Sequence, residues 1–362
     1  MRSFYRFFRG LHRWLIANVC VLALYFLLRP QRGVMNWWTQ RVALPLERAL
    51  AALCALVPTS VAEWFYVAAA LALLAWLAAF AVALLRAPYK RDVVYGRTLG
   101  LVNAALTVYA LFCLLWGTVC YADDFCDKSG LSPQPVAYED LLRVTEYFAR
   151  QTALTAGDVP RDDAGRFAVP VSDILAFAPT LYEETLYADY PFLRIPRDRA
   201  PKRVLFSRVM SLTNFTGFYF PFTGECNVNT DFPAADLPST AAHELAHRRG
   251  IASEQQCNFL AVLSSTRSSN TAYRYSGWLM GYVHLSNALY SVDPDAWLAI
   301  RLALPAEVEA DLRASSEYWA QYEGPVAEAS DRVYDAMLKS YGQELGVRSY
   351  GAVVDLLVAY YK

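Results

Sequence analysis

The sequence predicts a mainly α-helical protein with a small β element, in which N-terminal transmembrane helices precede an α+β domain built around a metal site. Three observations predict it. Apolar residues crowd into the first third of the chain in long uncharged runs. The rest reads as helices interrupted by one extended, aromatic-rich stretch. One of those helices holds two of the chain's four histidines, His243 and His247, a single turn apart.

The apolar runs come first in the chain. Of 362 residues, 56% are hydrophobic and only 19% charged, with a mean hydropathy of +0.19. That is too apolar for an ordinary soluble enzyme. Residues 14–28 form a short span whose flanks, including Arg13 and Arg29, could snorkel. Residues 64–85 carry no charge at all. Residues 99–119 are also uncharged, with Asn103, Thr107 and Thr118 as their chief polar side chains. No A-x-A-like site follows the first run, so it reads as an uncleaved anchor. A fourth apolar piece, 49–57, is too short to cross and reads as re-entrant or interfacial. The chain thus divides into a membrane domain at 1–121, with about three transmembrane helices, and a catalytic domain at 122–362.

Charge sets an orientation. Arg2, Arg6, Arg9 and Arg13 precede the first span, and Arg86, Lys90, Arg91 and Arg97 lie between the second and third. The excess of positive charge places both in the cytoplasm and leaves the catalytic domain on the outer side. Arg29, Arg32, Arg41 and Arg48 pull the other way, and a crossing by 49–57 would flip the parity. The formal net charge of −1 gives nucleic acid no footprint. Among seven cysteines, Cys120 and Cys126 could close a small loop, and Cys226 and Cys257 flank the histidine pair. No C-x-x-C spacing suggests a zinc finger.

His243-Glu244-Leu245-Ala246-His247 reads H-E-x-x-H, the zincin signature. Positions i and i+4 share a helix face, so two imidazoles can point at one ion. Glu244 can then take the proton of the water that such an ion activates. In Pro238-Ser239-Thr240 the serine and threonine supply N-cap hydroxyls to start the helix, and Gly250 reads as the C-cap that ends it. Ser253 to Gln256 reads as a capping box opening a second helix. A reversal at Gly250 could bring Glu254 back over the histidines, giving a His2Glu site for Zn2+ with an open fourth position. The alternative is a helix-start acid that touches no metal. Glu225, Asp231 and His284 are further candidates for third ligand, although His284 sits in an apolar run as a core histidine would. Tyr219, Tyr275 and His284 are unranked candidates to stabilise an oxyanion.

Residues 215–230 read F-T-G-F-Y-F-P-F-T-G-E-C-N-V-N-T. The alternating aromatics and Pro221 suit an edge strand. Zincin clefts hold extended peptides on such an edge, so Phe218, Tyr219, Phe220, Gly224 and Asn227 are substrate-binding candidates. The alternative is a hairpin that only covers the core. Residues 138–150 have helical periodicity, and 171–190 read as helix and loop. From 258 to 361 the pattern is helical, with breaks at 264–270, Pro294, Pro305, Gly324 and Gly346.

The segments P-F-T-G-E-C-N-V-N (221–229), L-P-S-T-A-A-H-E-L-A-H-R-R-G-I-A-S-E (237–254), N-F-L-A (258–261) and S-Y-G-A-V-V-D-L-L (349–357) resemble a bacterial family catalogued as domain of unknown function 3810. The resemblance covers nearly the whole chain. It implies a membrane-anchored zinc peptidase in the bacterial inner membrane. In related zinc peptidases the second helix opens E-x-x-A-[DN], and its first Glu binds zinc. Glu254-Gln255-Gln256-Cys257-Asn258 matches with Cys for Ala, and Cys226 also stands where the family favours Ala. The resemblance therefore implies a Cys226–Cys257 disulfide as one arrangement.

The expected activity is hydrolysis of a peptide or protein substrate, which the bilayer could also hold, with His243, His247 and Glu254 on zinc and Glu244 as base. The competing expectation is a zinc-binding sensor or assembly factor without catalysis, against which Glu244 argues. A transporter fits poorly, because the spans carry almost no charge.

Overall fold

The structure, a computed structural model, describes residues 6–341 and 349–362. Arg2 and the break expected at Gly346 lie outside the described residues.

Helix α1 (Arg9–Leu28) is followed by α2 (Arg32–Trp38), a π-helical turn (Thr39–Ala43) and α3 (Leu44–Cys54). Next come α4 (Val61–Arg86) and α5 (Lys90–Phe112), which runs on through a π-helical turn (Cys113–Gly117) into α6 (Thr118–Cys120). Among the described residues, three stretches are long and apolar enough to cross a membrane: Arg9–Leu28, Val61–Arg86 and Lys90–Ser129. They contain the three runs expected from sequence.

Each apolar helix has a local cause. Ser60 caps α4 by accepting a bond from the Glu63 amide. Between Glu63 and Arg86 no charge interrupts the helix, and Ala87-Pro88 ends it. The polar residues of the third run bind α5 to α1. Asn18 Nδ2 donates to the Asn103 carbonyl at 3.1 Å, Asn103 Nδ2 to the Leu11 carbonyl at 3.0 Å, and Thr107 Oγ1 to Asn18 Oδ1 at 3.1 Å. Between apolar helices, where burial drives little, such bonds supply the adhesion.

The 49–57 piece is the end of α3 and the turn after it; Ala51 is buried, while Leu53, Leu56 and Val57 are exposed. Glu47 of α3 is buried and accepts a bond from Tyr219 Oη at 2.9 Å. Of the arginines that opposed the expected orientation, Arg32 pairs with Asp127 at 3.1 Å and Asp123 at 3.6 Å.

The remainder comprises α7 (Phe125–Ser129), α8 (Tyr138–Thr155), α9 (Val171–Thr185), β1 (Lys202–Arg203), α10 (Ser207–Leu212), β2 (Gly217–Phe220), β3 (Glu225–Val228), α11 (Leu237–Arg248), α12 (Glu254–Thr266), α13 (Thr271–Val292), α14 (Pro294–Leu302), α15 (Ala306–Ala320), α16 (Pro325–Ser340) and α17 (Ser349–Tyr361). The molecule is mainly helical with one small sheet. Helices α11, α12 and α13 form the centre, and α12 is buried from Gln256 to Thr266. Phe148, Phe259, Tyr273 and Tyr282 fill the core around it. The sheet has the order β1-β3-β2, with β1 parallel and β2 antiparallel to β3. The aromatic-rich stretch is therefore a hairpin whose first strand, β2, is an edge.

Candidate metal centre

Helix α11 starts without a side-chain cap, contrary to expectation. Pro238 lies in its first turn, and Ser239 Oγ turns back to the Asp236 carbonyl at 3.0 Å. The far end follows expectation. Gly250 takes φ +79°, which glycine adopts without steric cost. Its amide bonds to the His247 carbonyl at 2.9 Å. Arg248 and Arg249 then bind the buried Asp198 at 2.9 and 2.5 Å. Burial opposes the Asp198 charge, but the two guanidinium groups hold its pKa below the usual range.

The chain reverses and α12 opens at Glu254. The capping box does not form, because Gln256 is engaged elsewhere. Ser253 makes no side-chain cap. Gln256 instead accepts from the Phe125 amide at 2.9 Å and donates to Asp124 at 2.7 Å. Glu254 turns inward to the histidines: its carboxylate lies 3.2 Å from His243 Nε2 and 3.6 Å from His247 Nε2.

The two Nε2 atoms are 3.1 Å apart. His247 Nδ1 lies 2.8 Å from the Ile251 carbonyl, which can only accept, so Nδ1 carries the proton. His243 Nδ1 lies 2.7 Å from Asn258 Oδ1. Both rings therefore turn Nε2 lone pairs toward one point beside a carboxylate. Such a cluster requires positive charge at its centre, either a proton or a metal ion. His243, His247 and Cys257 offer ligand atoms within 4.8 Å of one another and could hold a metal ion. Cys257 approaches from behind, with Sγ 3.3 Å from His247 Nδ1 and 3.3 Å from the Ile251 carbonyl.

Glu244 is buried beside this cluster, and among the described residues its Oε2 has no hydrogen-bond partner. Burial is the main cause that pushes its pKa up to about 7, with His243 and His247 opposing and Glu254 adding. The carboxylate rests against Gly217, the first residue of β2, where a Cβ would lie 2.5 Å from Oε1.

Other candidates lie elsewhere. Glu225 pairs with Lys202 at 2.6 Å and accepts from the amides that start α4, Val61 at 3.2 Å and Ala62 at 2.9 Å. Asp231 accepts from Tyr318. Tyr275 donates to Asp311 at 2.5 Å. His284 does neighbour His243; burial first, then that neighbour, lower its pKa to about 4. All seven cysteines are free thiols. Cys226 Sγ bonds the Glu244 carbonyl at 3.1 Å rather than Cys257.

The expected substrate contacts are mostly packing contacts. Tyr219 binds Glu47, and Asn227 is buried with its Oδ1 accepting from Ser60 at 2.6 Å. A Cβ on Gly224 would collide with the Glu47 carbonyl. Phe218 and Phe220 face α4, their rings 6.3 and 5.4 Å from Tyr66. Conversely, Tyr334 of α16 was not singled out by sequence, yet its Oη lies 2.7 Å from Glu254 Oε1. Its neighbours in sequence offer no spacing signal. Trp116 also reaches the site, its ring 5.7 Å from that of His247.

Fold and site together define a mainly helical protein in which three apolar helices adjoin a buried cluster able to hold a metal ion. The chain belongs to the family described as protein of unknown function DUF3810, which matches residues 39–358. No curated protein and no solved structure matches the chain.

Proposed function

We propose that the protein is a membrane-anchored zinc metallopeptidase. The observation that carries this reading is the unpartnered, buried carboxylate oxygen of Glu244 beside three converging donors, His243 Nε2, His247 Nε2 and Glu254. A structural metal site has no use for such a base. Two imidazoles and one carboxylate are a donor set that catalytic zinc takes. Glu254 fits the third place better than Cys257, because Cys257 Sγ touches the Nδ1 side of His247, away from Nε2. Asn258 and the Ile251 carbonyl fix the ring orientations.

When bound, zinc polarises a carbonyl and acidifies a water. Glu244 removes a proton from the water as it adds to the scissile carbonyl carbon. It then delivers that proton to the leaving amine nitrogen as the C–N bond breaks. Burial, which raises the affinity of Glu244 for a proton, favours the first of these transfers. Tyr334 Oη, which donates to Glu254 Oε1 in this structure, would turn that donor to the oxygen that gains charge. The free edge of β2 beside Glu244 would hold the substrate extended.

The proposed location is the bacterial plasma membrane, with the site on the outer side. The segment between the first two spans supports this, since Cys54 and Thr59 accept bonds from Lys202 and thus share a side with the site. Three crossings then leave the N-terminus and the basic turn after α4 in the cytoplasm.

The test is a peptide library incubated with zinc-loaded, detergent-purified protein. Cleavage that a chelator stops and zinc restores is expected. Intact peptides throughout would count against the reading.

A further inference from the structure

We propose, resting on the peptidase reading, that the substrate is itself a membrane-anchored polypeptide, cut where it enters the outer face of the bilayer. The argument begins with helix lengths. Helix α4 has 26 residues, about 39 Å, whereas a hydrocarbon core is about 30 Å, or about 20 helical residues. Counted from Arg86, the last charge of α4, that thickness ends at Tyr66. The same count on α5, from Arg97, the last charge before its apolar run, ends at Gly117. Two helices thus place the bilayer boundary independently.

The site sits at both marks. Tyr66 is the residue against which Phe218 and Phe220 of β2 pack. Trp116, beside Gly117, touches both His247 and Tyr219, at ring distances of 5.7 and 5.2 Å. Tyr and Trp at this level form the belt expected where a protein meets headgroups.

The hairpin also has a direction. Gly217, at the start of β2, lies against Glu244. Its far end runs through Phe220 to Phe222, which meets Phe112, one turn inside the boundary on α5. Phe218 and Phe220 both pack on Tyr66, so strand β2 runs along the boundary, from the metal cluster to Phe112 on α5. A segment added to its free edge would lie along that boundary, passing from Glu244 to the level of Phe112 within about five residues, at about 3.3 Å each. A segment that continues as a transmembrane helix is already placed there; a soluble loop is not.

The nearby surface agrees. Glu63, in the first turn of α4, accepts from the amides of Leu205 and Phe206, both at 2.8 Å. This holds at the boundary a surface on which Leu205, Phe206, Val209 and Leu212 are all exposed. Exposed apolar side chains at that level suit the headgroup–acyl interface.

The experiment uses full-length, zinc-loaded protein in lipid nanodiscs and one sequence that it cuts as a free peptide. That sequence is presented in three forms at matched concentration: free, about 5 residues from a plain transmembrane helix, and about 25 residues from the same helix. The near form should be cut at least tenfold faster than the far form. Equal rates for near and far would overturn the inference while leaving the peptidase reading intact. If no library sequence is cut as a free peptide, the peptidase reading itself is rejected. A second measurement then decides the placement alone: a fluorescent amino acid at Val209, read against quencher lipids with one at Leu74 as the deep reference. Quenching by shallow-labelled lipids is expected, and no quenching by any lipid would overturn the inference.

Discussion

Gly217 and Glu244 share one volume: a Cβ at Gly217 would lie 2.5 Å from Glu244 Oε1 and 2.9 Å from Cδ. The edge strand therefore passes close to the carboxylate only because this position has no side chain. Gly217→Ala should push Glu244 out of place. We expect peptide hydrolysis to fall by at least about tenfold, as small misplacements of reacting groups do, with zinc content unchanged. Metal analysis and a peptide assay check this, and full activity would mean that Glu244 works from another position.

Metal retention separates the two possible third ligands. Purified protein should hold about one zinc ion per chain. His243→Ala, His247→Ala and Glu254→Ala should each lose it, and Cys257→Ala should keep it. If Cys257→Ala loses the metal and Glu254→Ala keeps it, the ligand set is His-His-Cys instead.

Much of this site was legible in the sequence, for physical reasons. The i, i+4 rule puts His243 and His247 on one face, and Gly250 at φ +79° makes the reversal that its position suggested. Charge-free length marked the three apolar helices. What covers each strand face was not legible. Alternation separates Tyr219 from Phe218 and Phe220, but only the fold shows that Glu47 and Trp116 lie over one face and Tyr66 over the other. Tyr334 was illegible because it comes from 80 residues beyond Glu254. The Ser253 box failed because local signals compete with tertiary partners, here Asp124 and Phe125 for Gln256.

Tyr334→Phe removes one hydroxyl, 2.7 Å from Glu254 Oε1. If that hydroxyl steadies the oxyanion, kcat should fall by about 10²-fold or more while KM and zinc content change little. Steady-state kinetics on one library peptide check this. An unchanged kcat would leave Tyr334 only a tether between α16 and Glu254.

Topology has its own test. A reporter active only in the cytoplasm should be silent when fused after Lys362 and active when inserted at Tyr89, in the turn between α4 and α5. The reverse pattern would put the metal cluster in the cytoplasm.

The most direct measurement of the central claim is hydrolysis by Glu244→Gln. Glutamine keeps the size and shape of the side chain but cannot take a proton from water. Since Glu244 is not among the three donors that converge on the metal position, zinc content and membrane insertion should match the wild type. Peptide hydrolysis should fall by about 10²–10⁴-fold or more. Wild-type hydrolysis by zinc-loaded Glu244→Gln would contradict the account and leave the cluster a binding or structural site.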